Sequence, residues 1–137
     1  MFMPKINAAG TAWMPQAWDT DKIAGAVTRF ISATVANAAA IATIPGVVGQ
    51  TAYVTGFEVW AGGATVAALV SVTLAGVLGG SQTFPFSAVA GVALVSQPLV
   101  FSFDGPALAS AANVTLALPA LGLGNASAQV VLRGGYQ

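Results

Sequence analysis

The chain of 137 residues is long enough for one domain with a single hydrophobic core. It contains no cysteine and no histidine, which excludes disulfides, thiolate or imidazole metal sites, and nucleophile pairs that depend on histidine. Charged residues make up only 6% of the chain, against about 25% in an ordinary soluble domain, and the net charge is zero, so we expect neither a nucleic-acid interface nor electrostatic attachment to a membrane.

Residues 1–27 differ from the rest of the chain because they combine charges, prolines and two tryptophans. We predict an N-terminal arm here, with at most a short helix capped by Asp19 or Thr20. The tryptophans either pack on the parent domain or dock on a neighbouring subunit, as large aromatic residues often do at interfaces. On the second alternative, the candidate partner-binding residues are Trp13, Trp18, Asp19, Asp21 and Lys22.

From Thr28 onward, short apolar runs alternate with turn signals rich in glycine and proline. In the run 51–61, for example, the alternation predicts Tyr53, Thr55, Phe57 and Val59 on one face of a strand. Eight strands are predicted in all, over residues 28–36, 38–45, 51–61, 65–77, 82–88, 97–103, 112–118 and 127–134. Residues 28–137 are therefore expected to form an all-β, jelly-roll-like antiparallel β-sandwich, with an immunoglobulin-like sandwich as the nearest alternative.

The uncharged stretch 61–80, AGGATVAALVSVTLAGVLGG, is long enough to cross a membrane as a helix. Its pattern favours a strand instead, because apolar side chains recur at every second position from Val66 to Leu74. Glycines at both ends are turn signals, and neither end carries a Lys or Arg that would anchor a membrane helix. We predict a strand with one buried face.

The carboxylates offer little catalytic chemistry. Asp19 and Asp21 resemble the start of a calcium loop, but the remaining oxygen ligands of such a loop are absent. Glu58 and Asp104 form a hydrolase pair only if they meet across strands at the separation of glycosidase carboxylates. We expect instead that both are solvated or paired, with Arg133 as a candidate partner. The prediction is a protein without catalytic residues, metal or cofactor.

Two stretches carry a family resemblance. Residues 97–116 read QPLVFSFDGPALASAANVTL, and the chain ends in LPALGLGNASAQVVLRGGYQ. This C-terminal region, together with TAYVTGFEVWAGGATVA at 51–67, resembles a group of small virion proteins of tailed bacteriophages. Some proteins of this style are jelly-roll cement or decoration proteins of the head. The resemblance implies a virion component.

A neutral surface rich in small side chains suits burial against other subunits. Together with the resemblance, it leads us to expect a non-enzymatic decoration protein on the outer surface of a phage head, bound to the major capsid protein and to itself as a dimer or trimer. A tail or fibre module is the main alternative, with Asn125, Ser127 and Tyr136 as a shallow site for a host glycan or protein. A hydrolase using Glu58 and Asp104 is a remote one.

Overall fold

A computed structural model describes residues 28–108, 112–121 and 124–137. In these ranges the protein is all-β, with eight strands in two antiparallel sheets of four and no helix. The strands are β1 (Thr28–Ile31), β2 (Ala40–Ile44), β3 (Ala52–Gly62), β4 (Ala68–Ala75), β5 (Gln82–Ala88), β6 (Leu99–Leu108), β7 (Val114–Leu118) and β8 (Ser127–Tyr136). Each lies on one of the eight predicted runs, so the predicted all-β sandwich is confirmed.

The strand order is β1-β8-β3-β6 in one sheet and β2-β7-β4-β5 in the other. Four of the strand pairings are nested along the chain: β1 pairs with β8, β2 with β7, β3 with β6 and β4 with β5. Strands that follow one another in the chain mostly lie in different sheets, so most connections cross an end of the sandwich. The loops β1–β2, β3–β4, β5–β6 and β7–β8 therefore share one end, which we call the four-loop end.

The core lies between the two sheets and is built from alternate residues of each strand. In β7, Val114, Leu116 and Leu118 are fully buried, while the residues between them are half-buried. Phe57 is the largest fully buried side chain. Its ring packs against three other aromatic rings, Phe84, Phe101 and Phe103, at centroid distances of 4.9, 5.5 and 6.5 Å. Phe86 is buried in the same core, and Phe84 and Phe103 are partly buried against it.

One predicted face is wrong, and a β-bulge explains the error. The register of β3 against both neighbours shifts between Val54 and Gly56, which leaves Thr55 as an extra residue. Because the side-chain period is two, one extra residue reverses the inward and outward positions that follow it. Val54 therefore faces the core with Phe57 and Val59, whereas Tyr53 lies outside this core cluster.

The uncharged stretch 61–80 forms the end of β3, a loop, β4 and a turn. In β4, Val72 and Leu74 are fully buried, while Leu69 and Ser71 are exposed. The prediction of a strand with one buried face is confirmed. Within the described ranges, no helix has the length and apolar character needed to span a membrane.

Candidate interaction surfaces

The five predicted partner-binding residues Trp13, Trp18, Asp19, Asp21 and Lys22 lie outside the described residues. The candidate surfaces that can be built from the structure therefore belong to the sandwich itself. They are the outer faces of the two sheets and the four-loop end.

The charged residues of the described ranges all lie on one sheet. They are Arg29 in β1, Glu58 in β3, Asp104 in β6 and Arg133 in β8. Arg29 Nη2 donates to Glu58 Oε2 at 3.2 Å, across the β8 strand that separates them. We call the outer surface of this sheet the charged face. The partner of Glu58 is thus Arg29 and not Arg133, which had been the candidate.

The geometry does not bring Glu58 and Asp104 together. Val100 is the β6 residue opposite Glu58, and Asp104 lies four positions further along the strand. At a rise of about 3.3 Å per residue, this offset is about 13 Å, beyond the roughly 5–9.5 Å that separates the carboxyl groups of glycosidases. Glu58 is also held by the ion pair with Arg29. This arrangement favours a structural role for Glu58.

Arg133 forms a bridge from β8 over β3 to β6. Its Nη2 donates to the carbonyl oxygen of Phe101 and to Ser102 Oγ, each at 3.3 Å. The guanidinium passes over Gly56, where an added Cβ would lie 2.6 Å from Nη2. A side chain at position 56 would therefore displace the guanidinium. Beside this bridge, Thr55 Oγ1 donates to the Arg133 carbonyl at 3.3 Å, so the bulge residue is tied to β8.

The outer surface of the second sheet carries no charge, and we call it the neutral face. One row across it joins Ile41, Ala117, Thr73 and Thr83, each opposite the next in register. Its outward residues are Ile41, Thr43, Leu69, Ser71, Thr73, Ala75, Thr83, Pro85, Ser87, Thr115 and Ala117. These side chains are short apart from Ile41 and Leu69, so the face is flat, and none of them carries a charge that must be desolvated on contact.

Large aliphatic side chains are exposed at the four-loop end. Val66 follows β3, Leu69 is the second residue of β4, and the β5–β6 loop adds the rest. This aliphatic corner consists of Val66, Leu69, Val92, Leu94 and Val95, which are between 54% and 76% exposed. It was not predicted from the sequence, although the apolar run GVALV at 91–95, between two predicted strands, is a signal for it.

Hydrogen bonds fix the backbone of the aliphatic corner. Gly63 N–H donates to the Leu94 carbonyl at 2.8 Å, and Gly91 N–H donates to the Ala64 carbonyl at 2.7 Å. Ser96 is buried, its N–H donates to the Ala61 carbonyl, and its hydroxyl accepts the N–H of Val89. The β5–β6 loop is therefore fastened to the end of β3 at several points. Its exposed aliphatic side chains are presented by an ordered backbone.

The residues proposed for a shallow glycan site do not come together. Asn125 is only 2% exposed, and its Oδ1 accepts the N–H of Asn37. Ser127 and Tyr136 are the first and last residues of β8, so they lie at opposite ends of the sandwich. Tyr136 also donates its hydroxyl to the Pro45 carbonyl at 2.7 Å. A compact site cannot be built from these three residues.

A metal site is not apparent either: the described residues contain no group of three or more carboxylates that could hold an ion. No protein-family model matches the sequence, and no curated protein or solved structure is significantly similar to the chain.

Proposed function

We propose that this protein is a non-enzymatic structural component of a tailed-phage virion, a decoration protein that cements the outer surface of the head. The observation that carries the proposal is the unequal distribution of charge over the two sheets. The described charges lie on one outer face, whereas the other is flat, neutral and built from short side chains. The resemblance of residues 51–67 and 97–137 to small phage virion proteins supports the same assignment.

The nested pairing of the strands is further support. We infer that the sandwich is wound as a jelly roll, because β1 pairs with β8, β2 with β7, β3 with β6 and β4 with β5. Eight strands in two sheets are the number that such a fold requires. A fold of this kind presents two broad faces, so it can contact a shell with one face and leave the other in solvent.

The physical requirement for cement is stable burial of surface across capsomer boundaries. Contact through the neutral face would desolvate hydroxyls and small apolar groups, and no unpaired charge would be buried. Contact through the charged face would first have to desolvate Arg29 and Glu58. We therefore assign the neutral face to the major capsid protein, with the N-terminal arm as a second attachment to the shell or to a neighbouring copy.

Binding to undecorated heads tests the proposal. Thr83→Glu places a charge at an exposed position of the neutral face, and Val100→Glu places the same charge at an exposed position of the charged face. We expect Thr83→Glu to reduce the occupancy of sedimented particles at least about tenfold, and Val100→Glu to leave it near that of the unmodified protein. Equal occupancy for both variants would contradict the assignment of the face.

Deletion of residues 1–27 tests the arm separately. The expected result is loss of capsid attachment while the far-UV spectrum of the sandwich is retained. Unchanged occupancy of the truncated protein would count against the arm. Binding of the intact protein to cells or to a glycan array, with no binding to undecorated heads, would instead favour a tail or fibre module.

A further inference from the structure

The aliphatic corner exposes large apolar side chains of the described residues to solvent. Five branched side chains are exposed there by more than half: Val66, Leu69, Val92, Leu94 and Val95. Exposed aliphatic residues scattered singly need no explanation, but a rigid group of them marks an interaction surface. The hydrogen bonds that fasten the β5–β6 loop to the end of β3 also mean that little ordering entropy would be lost on contact.

Charge indicates what kind of partner fits this surface. No charged residue occurs between Glu58 and Asp104, so the corner, β4 and β5 are uncharged throughout. Contact of this surface with its own copy sets no like charges against each other, as symmetric assembly requires.

The apolar area of the corner is consistent with a contact between two copies of the chain. A fully exposed Val or Leu side chain presents on the order of 100 Å² of apolar surface, so the corner presents on the order of 350 Å². A standard interface buries about 800 Å² on each partner and has an apolar centre with a polar rim. The corner would supply the centre, and the hydroxyl-bearing part of the neutral face next to Leu69 would supply the rim.

We infer that copies of this chain associate with one another through the aliphatic corner. The occupant of the corner is thus a second copy, and the rest of the neutral face stays available for the shell. This inference rests on the proposed function for the role of the assembly. It adds the surface through which the copies contact one another. The contact itself is a property of the isolated protein and is tested without particles.

The first experiment is sedimentation velocity of the full chain over a range of micromolar concentrations. Val92→Asp puts a charge in the corner, and Val48→Asp puts the same charge on the β2–β3 loop at the opposite end, where Val48 is 96% exposed. We expect a dimer or trimer for the unmodified protein and for Val48→Asp. For Val92→Asp, we expect the dissociation constant to rise about tenfold or more. A monomeric unmodified protein, or equal dissociation of both variants, would overturn the inference.

Two further variants guard against misfolding. If Val92→Asp loses its far-UV strand spectrum, Leu69→Ser tests the same surface with a residue that strands tolerate on their outer side. Because the chain has no cysteine, Val92→Cys can form a disulfide only between two copies. Rapid oxidative dimerisation of Val92→Cys, but not of Val48→Cys, is the expected result, and equal rates would contradict the inference.

The two proposals fail in distinguishable ways. An oligomer that dissociates with Val92→Asp but never binds heads would overturn the decoration role and leave the contact between copies standing. A chain that is monomeric in solution, and whose attachment to heads is lost in Val92→Asp, would assign the corner to the shell. That outcome overturns the inference and leaves the decoration role standing.

Discussion

Asn37 and Asn125 hold each other's backbone through reciprocal side-chain hydrogen bonds. Asn37 N–H donates to Asn125 Oδ1 at 2.7 Å, and Asn125 N–H donates to Asn37 Oδ1 at 2.8 Å. Gly124 N–H also donates to Asn37 Oδ1. This clasp joins the β1–β2 loop to the β7–β8 loop at the four-loop end. An added Cβ on Gly124 would overlap the Thr65 side chain, so the β3–β4 loop is packed against the same clasp.

The clasp should contribute measurably to stability. Asn37 has a φ of +54°, which asparagine tolerates and alanine does not. Asn37→Ala therefore loses an acceptor for two N–H groups and gains backbone strain, and we expect it to lower the free energy of unfolding by about 2–4 kcal/mol. Asn37→Gly loses only the acceptor and should cost about 1–2 kcal/mol. Asn37→Asp keeps the acceptor and should stay within about 1 kcal/mol of the unmodified protein. Urea denaturation measures all three.

A double-mutant cycle tests whether the two asparagines act together. Asn37→Gly and Asn125→Ala, singly and combined, should show a coupling energy of about 0.5–3 kcal/mol. Additive effects would mean that the two loops are held by other contacts.

Substitutions at two glycines in the β4–β5 connection distinguish the cost of a left-handed backbone from the cost of a steric overlap. Gly76 and Gly79 have φ values of +87° and +95°, but only at Gly76 would an added Cβ overlap the carbonyl oxygen of Asn113. At Gly79 no heavy atom lies within 4 Å of that position. Gly79→Ala should cost about 1–2 kcal/mol for the left-handed backbone, and Gly76→Ala about 1–3 kcal/mol more for the overlap. Equal losses of stability for the two variants, measured by thermal unfolding, would contradict the close approach of Gly76 to the Asn113 carbonyl oxygen.

Phe57 and Phe101 are stacked, with centroids 5.5 Å apart, but they differ in burial. Phe57 is fully buried, whereas Phe101 is 36% exposed. Phe57→Ala should lower the free energy of unfolding by about 3–5 kcal/mol because it leaves a cavity that the sheets cannot close. Phe101→Ala should cost less than half as much, since solvent can occupy the space. If Phe101→Ala lowers the free energy of unfolding as much as Phe57→Ala does, the partly exposed Phe101 ring contributes as much to core packing as the buried one.

The strands could be predicted because alternation and turn residues agree along most of this chain. In β7, for example, Val114, Leu116 and Leu118 alternate with smaller or more polar residues, and all three are fully buried. The bulge at Thr55 could not be predicted, because an inserted residue leaves no mark on composition and is fixed by pairing with β6 and β8. The same error placed Tyr53 on the wrong face.

The ends of two strands differ from the prediction for identifiable reasons. β1 ends at Ile31: the Ser32 N–H still donates to the Val130 carbonyl, but the Val130 N–H donates to the Ser32 hydroxyl. The next paired position is an isolated bridge between Val35 and Ala128. β6 continues past residue 103, where the predicted strand ends, and through Pro106, since it is an edge strand and an edge tolerates proline. The aliphatic corner could not be predicted, because apolar residues in a predicted loop do not show which loops meet at one end, and that arrangement depends on strand order.

The burial of Tyr53 predicts how stability responds to alkaline pH. Burial raises the pKa of its hydroxyl above the usual value of about 10. As pH rises past 10, the unfolded chain releases this proton before the folded protein does, so the unfolded state binds fewer protons and stability falls. The slope attributable to one such group cannot exceed about 1.4 kcal/mol per pH unit. Tyr53→Phe removes this contribution, while every other titrating group is common to both proteins. The stability difference between the two proteins, measured by urea denaturation from pH 8 to pH 11, should therefore be constant up to about pH 9.5 and then shift in favour of Tyr53→Phe. Parallel stability curves over the whole range would show that the Tyr53 hydroxyl is not desolvated in the folded protein.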